Sequence, residues 1–157
     1  MIILLEGPEA AGKSTLAKLL EEQTGYPVVH MDKPKTDEEK QNMYMDYMNK
    51  IQSVDNVIFD RCWYSEMVYG PVMRDKSYIS HSQMCNLESA LVRKGAMIIH
   101  CTDNTEDLWD RCNKRGEDYV TSFATLQIIK CGFEDILHGH HHSIPVVRYE
   151  LSNSVML

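Results

Sequence analysis

The chain has 157 residues, 43% hydrophobic and 25% charged, with a formal net charge of −7. That length and mix suit one soluble domain with a single core, and no apolar run approaches the roughly 18 residues of a membrane span. The negative charge weighs against a chain that lives on nucleic acid, whose phosphates are met with Lys and Arg, although it leaves room for a local basic groove. The N-terminus passes straight into an apolar run with no basic region before it, so no signal peptide and a cytoplasmic location are expected. The five cysteines (Cys62, Cys85, Cys101, Cys112, Cys131) form no C-x-x-C pair and are odd in number, which reads as reduced thiols.

Ile2–Glu6 reads as a buried strand. It runs into Gly7-Pro8-Glu9-Ala10-Ala11-Gly12-Lys13-Ser14, which satisfies G-x-x-x-x-G-K-[ST] at every fixed position, and then into Thr15-Leu16-Ala17-Lys18-Leu19-Leu20, helix formers with apolar residues at helical spacing. A strand that turns through a glycine-rich loop into a helix N-terminus is an anion site, because backbone N–H groups and the helix dipole converge on phosphate oxygens. Lys13 is placed to reach the terminal phosphates of a nucleoside triphosphate and Ser14 to hold Mg²⁺. The helix stops near Gly25, before Pro27.

A second strand spans 27–31 and ends at Asp32. Thr36 and Glu39 form a capping-box pattern that opens a helix through Met43, Tyr44, Tyr47, Met48 and Ile51, a stripe suited to the core or to the wall of a cleft. A third strand, 56–60, is followed directly by a helical segment from Arg61, which Gly70-Pro71 is expected to end, with 71–79 as loop. A helix from about Ser80 to Lys94, a strand 96–101, a helix 105–115, a polar stretch 117–122, a helix 123–137 and a strand 144–149 complete the chain. His138, His140, His141 and His142 crowd the loop at 138–143. Adjacent histidines point apart and no Cys or acid lies at finger spacing, so this reads as a polar loop, with metal binding left open.

Strands alternating with helices predict a parallel five-stranded sheet in a three-layer α/β/α sandwich of the P-loop type, in one domain over 1–157. Ligands of such sheets bind beyond the carboxyl ends of the strands, which singles out Glu9, Asp32, Asp60, Arg61 and Asp103. An acid at the end of a strand neighbouring a P-loop faces the metal and the transferred phosphate. Asp60 is thereby a candidate to orient Mg²⁺ or accept a proton from an attacking hydroxyl, and Arg61 to hold an anionic acceptor or the migrating phosphoryl group.

These segments carry a resemblance. Glu6-Gly7-Pro8-Glu9-Ala10-Ala11-Gly12-Lys13-Ser14-Thr15 resembles the P-loop of thymidylate kinases. Asp60-Arg61-Cys62-Trp63-Tyr64-Ser65 resembles their Asp-Arg-aromatic-x-x-Ser segment and also the Glu-Arg-Ser segment of deoxynucleoside kinases. The resemblance implies ATP and Mg²⁺ at Lys13 and Ser14, Glu9 near the acceptor's sugar or attacking oxygen, Arg61 on the acceptor phosphate or transferred group, and Asp60 as metal orienter or base. Leu108 to Asp118 resembles the arginine-bearing helix that leads into the lid of these kinases. Arg111 and Arg115, four residues apart on one helix face, would clamp the triphosphate.

The chain departs from the thymidylate kinase pattern in its short length, its small lid at 116–122, and Cys62 at a position that is commonly aromatic there. Trp63, Tyr64 and Tyr69 are candidates to stack on a base. Cys62 and Cys112 each adjoin a candidate arginine. The reading is an ATP-dependent kinase acting on a deoxynucleoside monophosphate. Competing acceptors are a free deoxynucleoside and a hydroxyl on a modified pyrimidine in DNA. A nucleotide-binding switch or ATPase accessory is the reading from another class. A homodimer is an open option.

Overall fold

The structure is a computed structural model and describes residues 1–31, 33–116, 119–139 and 142–153. Five parallel strands, β1 (Ile2–Glu6), β2 (Val28–His30), β3 (Val57–Asp60), β4 (Met97–Thr102) and β5 (Val146–Glu150), form one sheet in the order β2-β3-β1-β4-β5. β1 is central, paired with β3 from Ile2↔Val57 to Leu5↔Asp60 and with β4 from Ile3↔Met97 to Glu6↔His100. All of its residues are buried, which explains its unbroken apolar run: a strand covered on both faces cannot alternate. The arrangement is the expected α/β sandwich.

The helices are α1 (Lys13–Thr24), α2 (Asp37–Gln41), α3 (Met43–Ser53), α4 (Trp63–Arg74), α5 (His81–Arg93), α6 (Thr105–Arg115) and α7 (Phe123–His138). α1 packs on β1, β2 and β3, α3 on α5, and α4 on α7. Gly25 ends α1 as expected, with its N–H donating to the Glu21 carbonyl.

Three boundaries differ from expectation. The helix opened by the Thr36–Glu39 capping box breaks at Asn42, giving α2 and α3. α2 buries nothing, so no packing holds it in line with α3, which turns Met43, Tyr47 and Ile51 inward. α4 does not stop at Gly70-Pro71 but runs on to Arg74. Proline disfavours the helical conformation of the residue before it by clashing with that residue's Cβ, and Gly70 has none. β5 begins at Val146 rather than 144 and passes into a 3₁₀ turn, Leu151–Asn153, which periodicity did not signal.

The core gathers on both sides of β1 and β3. Trp63 and Tyr64 are both fully buried within it, Trp63 edge-on to Tyr47 and Tyr64 donating to Glu88 at 2.5 Å. Of the three aromatics proposed to stack on a base, these two are therefore core residues. They start α4, whose first turn buries Trp63, Tyr64 and Glu66.

Candidate active site

At the end of β1 the chain turns at Gly7, where a Cβ would lie 1.8 Å from the Cys101 carbonyl oxygen, so that no side chain fits. Ala10 (φ 58°) and Gly12 (φ 83°) are left-handed and curve the loop, the conformation that lets successive N–H groups face one anion. α1 then starts at Lys13, with its N-terminus at the loop. Lys13 is only 6% exposed, and its ammonium donates to the carbonyls of Gly7 (2.9 Å) and Pro8 (2.5 Å). Burial, with the Arg61 charge beside it, lowers its pKa to about 7. An arriving phosphate competes with those carbonyls for the ammonium and favours its charged form.

The Ser14 hydroxyl donates to Asp60 Oδ2 at 2.8 Å, and His30 Nδ1 lies 3.0 Å from the same oxygen. Neighbouring ligands of an octahedral Mg²⁺ at about 2.0–2.1 Å stand about 2.9 Å apart, so the Ser14 and Asp60 oxygens fit as two members of such a shell, with phosphate oxygens and water supplying the rest.

Arg61 follows β3 with a φ of 71°, a conformation a non-glycine residue holds only when its surroundings enforce it. Its N–H donates to the Leu5 carbonyl at 3.0 Å. Its guanidinium donates to the Gly7 carbonyl (3.3 Å) and to Ser65 Oγ (3.1 Å), lies 3.5 Å from Glu9 Oε1, and sits 5.4 Å from the centre of the Tyr69 ring. Tyr69 in turn donates to Glu9 Oε1 at 2.7 Å. Burial alone would depress Arg61, but Tyr69 and Glu9 outweigh it and hold the guanidinium charged.

Two cavities meet at this cluster. One, of about 330 Å³, is bounded by the loop residues Glu9 to Ser14 with His30, Asp60 and Arg115. The other, of about 240 Å³, is bounded by Met43, Tyr47, Cys62, Ser65, Glu66, Tyr69, Arg74 and Tyr119. Glu9, Met31, Lys33 and Arg61 line both. Tyr69 is thus the aromatic that reaches the second cavity, and the Met43–Tyr47 stripe is both core and cleft wall. At its far side Glu66 accepts from Arg74 (2.5 and 2.6 Å) and from the Tyr78 N–H (2.9 Å). The Lys33 ammonium lies 3.1 Å above the Tyr119 ring, and both line this cavity.

The two lid arginines part company. Arg115 lines the loop cavity. Arg111 instead donates to the Ala10 carbonyl at 2.8 Å and to Asp103 Oδ2, on the outer side of the loop. Asp103 also accepts from the Ser152 N–H (3.0 Å) and hydroxyl (2.7 Å). Burial would raise the Asp103 pKa, but the bonds from Ser152, Asn104 and Arg111 outweigh it and keep the carboxyl below its usual range. Asp103, singled out as a strand-end acid, is thereby a strut tying the loop, α6 and the last turn.

Glu6 is the site residue that sequence reasoning passed over. It is fully buried and accepts from the Cys62 N–H (3.1 Å), the Ser65 N–H (2.8 Å) and the Ser65 hydroxyl (2.7 Å). Burial raises its pKa to about 7 against the opposing pull of Ser65 and Arg61. Its signal was an acid closing an otherwise apolar central strand.

Asp32, Glu117, Asp118, His140 and His141 lie outside the described residues. His138 is brought against two residues that sequence spacing did not connect to it. Its Nε2 is 2.8 Å from His100 Nδ1, and Glu134 stands one helical turn before it. Both Glu134 oxygens are engaged by Arg148, at 2.5 and 2.6 Å.

Known proteins share this architecture. The family profile described as Polyphosphate kinase 2 (PPK2) matches residues 1–125. The SPbeta prophage-derived uncharacterized protein YorR of Bacillus subtilis is 29% identical over 119 residues, covering 76% of this chain and 72% of YorR. A crystal structure of YorR in complex with phosphorylated GDP superposes with a TM-score of 0.79 at 23% identity, over 96% of this chain and 85% of that one. Deoxyadenosine kinase from M. mycoides with bound dATP gives a TM-score of 0.67 at 16% identity, over 99% and 94%. A phosphate-binding loop, an acid–arginine pair at the next strand and a family match across four-fifths of the sequence converge: the chain belongs to the polyphosphate kinase 2 family and is a P-loop nucleotide kinase.

Proposed function

We propose that this kinase moves the γ-phosphoryl of ATP to a deoxynucleoside monophosphate. The observation that carries the reading is the pair of cavities sharing Glu9 and Arg61, one lined by the phosphate-binding loop and the other by side chains of acceptor-pocket character. ATP phosphates lie on the Gly7–Thr15 loop, and Lys13 and Arg115 spread the charge that builds on the migrating group. Ser14 and Asp60 would hold Mg²⁺, which would supply positive charge against the phosphates, and His30 holds the Asp60 carboxylate in place. Arg61, charged and at the junction, receives the acceptor phosphate, while Glu9 and Tyr69 face its sugar. Arg111 acts at one remove, by bracing the loop through the Ala10 carbonyl. Little covalent work falls to the protein: it places two phosphates in line and keeps water out.

Phosphoryl transfer is tested with Mg²⁺ and two donors, ATP and inorganic polyphosphate, against the four deoxynucleoside monophosphates, the free deoxynucleosides, and DNA with and without hydroxymethylated pyrimidines. Diphosphate formed from one monophosphate with ATP is the expected result. Product from polyphosphate alone reassigns the donor, in keeping with the family's description. Product only from a nucleoside moves the acceptor assignment, and for that reading the Glu9–Tyr69 pair beside the junction is the supporting feature, since a carboxylate there can take the proton of an attacking hydroxyl. Hydrolysis that no acceptor stimulates supports a nucleotide-binding switch.

A further inference from the structure

α4 starts without a cap of its own: Cys62 stands at the N-cap and its side chain makes no capping hydrogen bond. A helix start leaves N–H groups unpartnered, and a buried start cannot leave them to water. Here the missing cap comes from a different element. Glu6, at the end of β1, accepts from the N–H of Cys62 and of Ser65, the N-cap and third helical positions. These are the two groups that a capping box serves from within a helix.

Glu6 has a further bond. Its Oε1 also accepts the Ser65 hydroxyl proton at 2.7 Å, which turns the Ser65 lone pairs toward Arg61 Nη1 at 3.1 Å. A continuous chain therefore runs from a buried carboxylate through one hydroxyl to the guanidinium at the junction of the two cavities. Burying a carboxylate is costly, and an apolar residue here would fill the strand end more cheaply. A neutral cap from α4's own residues would satisfy the same two N–H groups. What the carboxyl adds is the Ser65 hydroxyl held with its lone pairs toward the Arg61 guanidinium.

We infer that Glu6 is a positioning residue for phosphoryl transfer, acting through Ser65 to fix the Arg61 guanidinium between donor and acceptor. The inference rests on the assignment of Arg61 to the transfer site. Glu6 touches neither phosphate and moves no proton in the reaction.

A double-mutant cycle tests it, using whichever acceptor the wild-type chain phosphorylates. Ser65→Ala keeps the Ser65 N–H and so the cap, and removes only the link to Arg61. It is expected to lower kcat about tenfold, a loss on the scale of one hydrogen bond to a charged group, while the KM for the donor stays within about twofold. Glu6→Gln is expected to lower kcat similarly. In an Arg61→Ala background Ser65→Ala should have almost no further effect, because the group it positions is gone. An equal fall in both backgrounds overturns the inference, as does a wild-type kcat in Ser65→Ala. A lowered thermal midpoint with unchanged kcat in Glu6→Gln assigns Glu6 to stability alone, and likewise overturns it. Should the monophosphate panel fail while the cycle succeeds with another acceptor, the proposed acceptor falls and the positioning role stands. If no acceptor is found, the cycle is read on the Arg61 Nε–H signal in ¹⁵N spectra. Sharpening and faster exchange in Ser65→Ala support the role, and an unchanged signal overturns it.

Discussion

Lys13 sets the electrostatics of the loop. Its ammonium is buried among carbonyls and brought to about 7, so near neutral pH a share of the molecules carry it uncharged. A triphosphate restores the charge and so draws in a proton on binding. Affinity is accordingly full below pH 7 and declines above it, until the pKa of the bound state is passed. Calorimetry at pH 7.5 in buffers of different ionisation enthalpy should register proton uptake, and Lys13→Ala should lose both the uptake and nearly all turnover while keeping its circular dichroism. Asp60→Asn should lose kcat by at least about a hundredfold and donor affinity by much less, because its partner Ser14 and the loop remain. An equal loss in both would make Asp60 a binding residue.

Among the elements, β4, β5 and α7 share a region that answers to acid. His100 is wholly buried on β4, and burial lowers its pKa to about 4. A histidine depressed below its unfolded value of 6.5 contributes stability that is present above pH 6.5 and lost as pH falls through about 4. The depression corresponds to about 3 kcal/mol. His100→Gln should flatten the acid limb of stability between those values, measured by urea unfolding at several pH values. Where α4 crosses α7, a Cβ on Gly132 would stand 2.9 Å from Val68 Cγ1, and a valine in a helix has little rotamer freedom with which to yield. Gly132→Ala should therefore destabilise by about 1–3 kcal/mol despite its better helix propensity.

The elements were legible where pattern is local. The Thr36–Glu39 box, the stop at Gly25 and the apolar β1 all stand as read. The break at Asn42 was not, because it is decided by what the segment packs against, and the passage through Pro71 was not, because Gly70 reads as a stop while its missing Cβ lets the helix run on. The same division runs through the site. The loop and the Asp60–Arg61 pair announce themselves by spacing, and the structure brings Glu9, Lys13, Ser14, Asp60, Arg61 and Arg115 to one pair of cavities. The engagement of Arg111 with Asp103 depends on how α6 folds back on the end of β4, and the joining of Glu6 to Ser65, 59 positions along, on strand order, neither of which periodicity carries.

For the molecule as a whole, the loop is joined to several elements, so its ligand should stabilise all of them together. At a concentration a hundred times its Kd, ATP with Mg²⁺ should add about 2.7 kcal/mol to unfolding, raising the midpoint by about 5–10 °C in a single transition. Lys13→Ala should abolish that rise in differential scanning fluorimetry. Among the described residues no helix is long and apolar enough to cross a membrane.

The 3₁₀ turn Leu151–Asn153 carries a consequence for how the protein is made. Leu151 packs against Gly12, with a methyl group 3.4 Å from where a Cβ would stand, and Ser152 completes the ring of donors around Asp103. A ribosome releases the phosphate loop well before these residues, and β1 meanwhile waits for β3 and β4 to emerge on either side of it. The phosphate loop is consequently braced by residues far along the chain from it. A nascent chain stalled before position 151 carries the loop without the Leu151 and Ser152 contacts, and such truncated products should hold nucleotide more weakly than chains that include them.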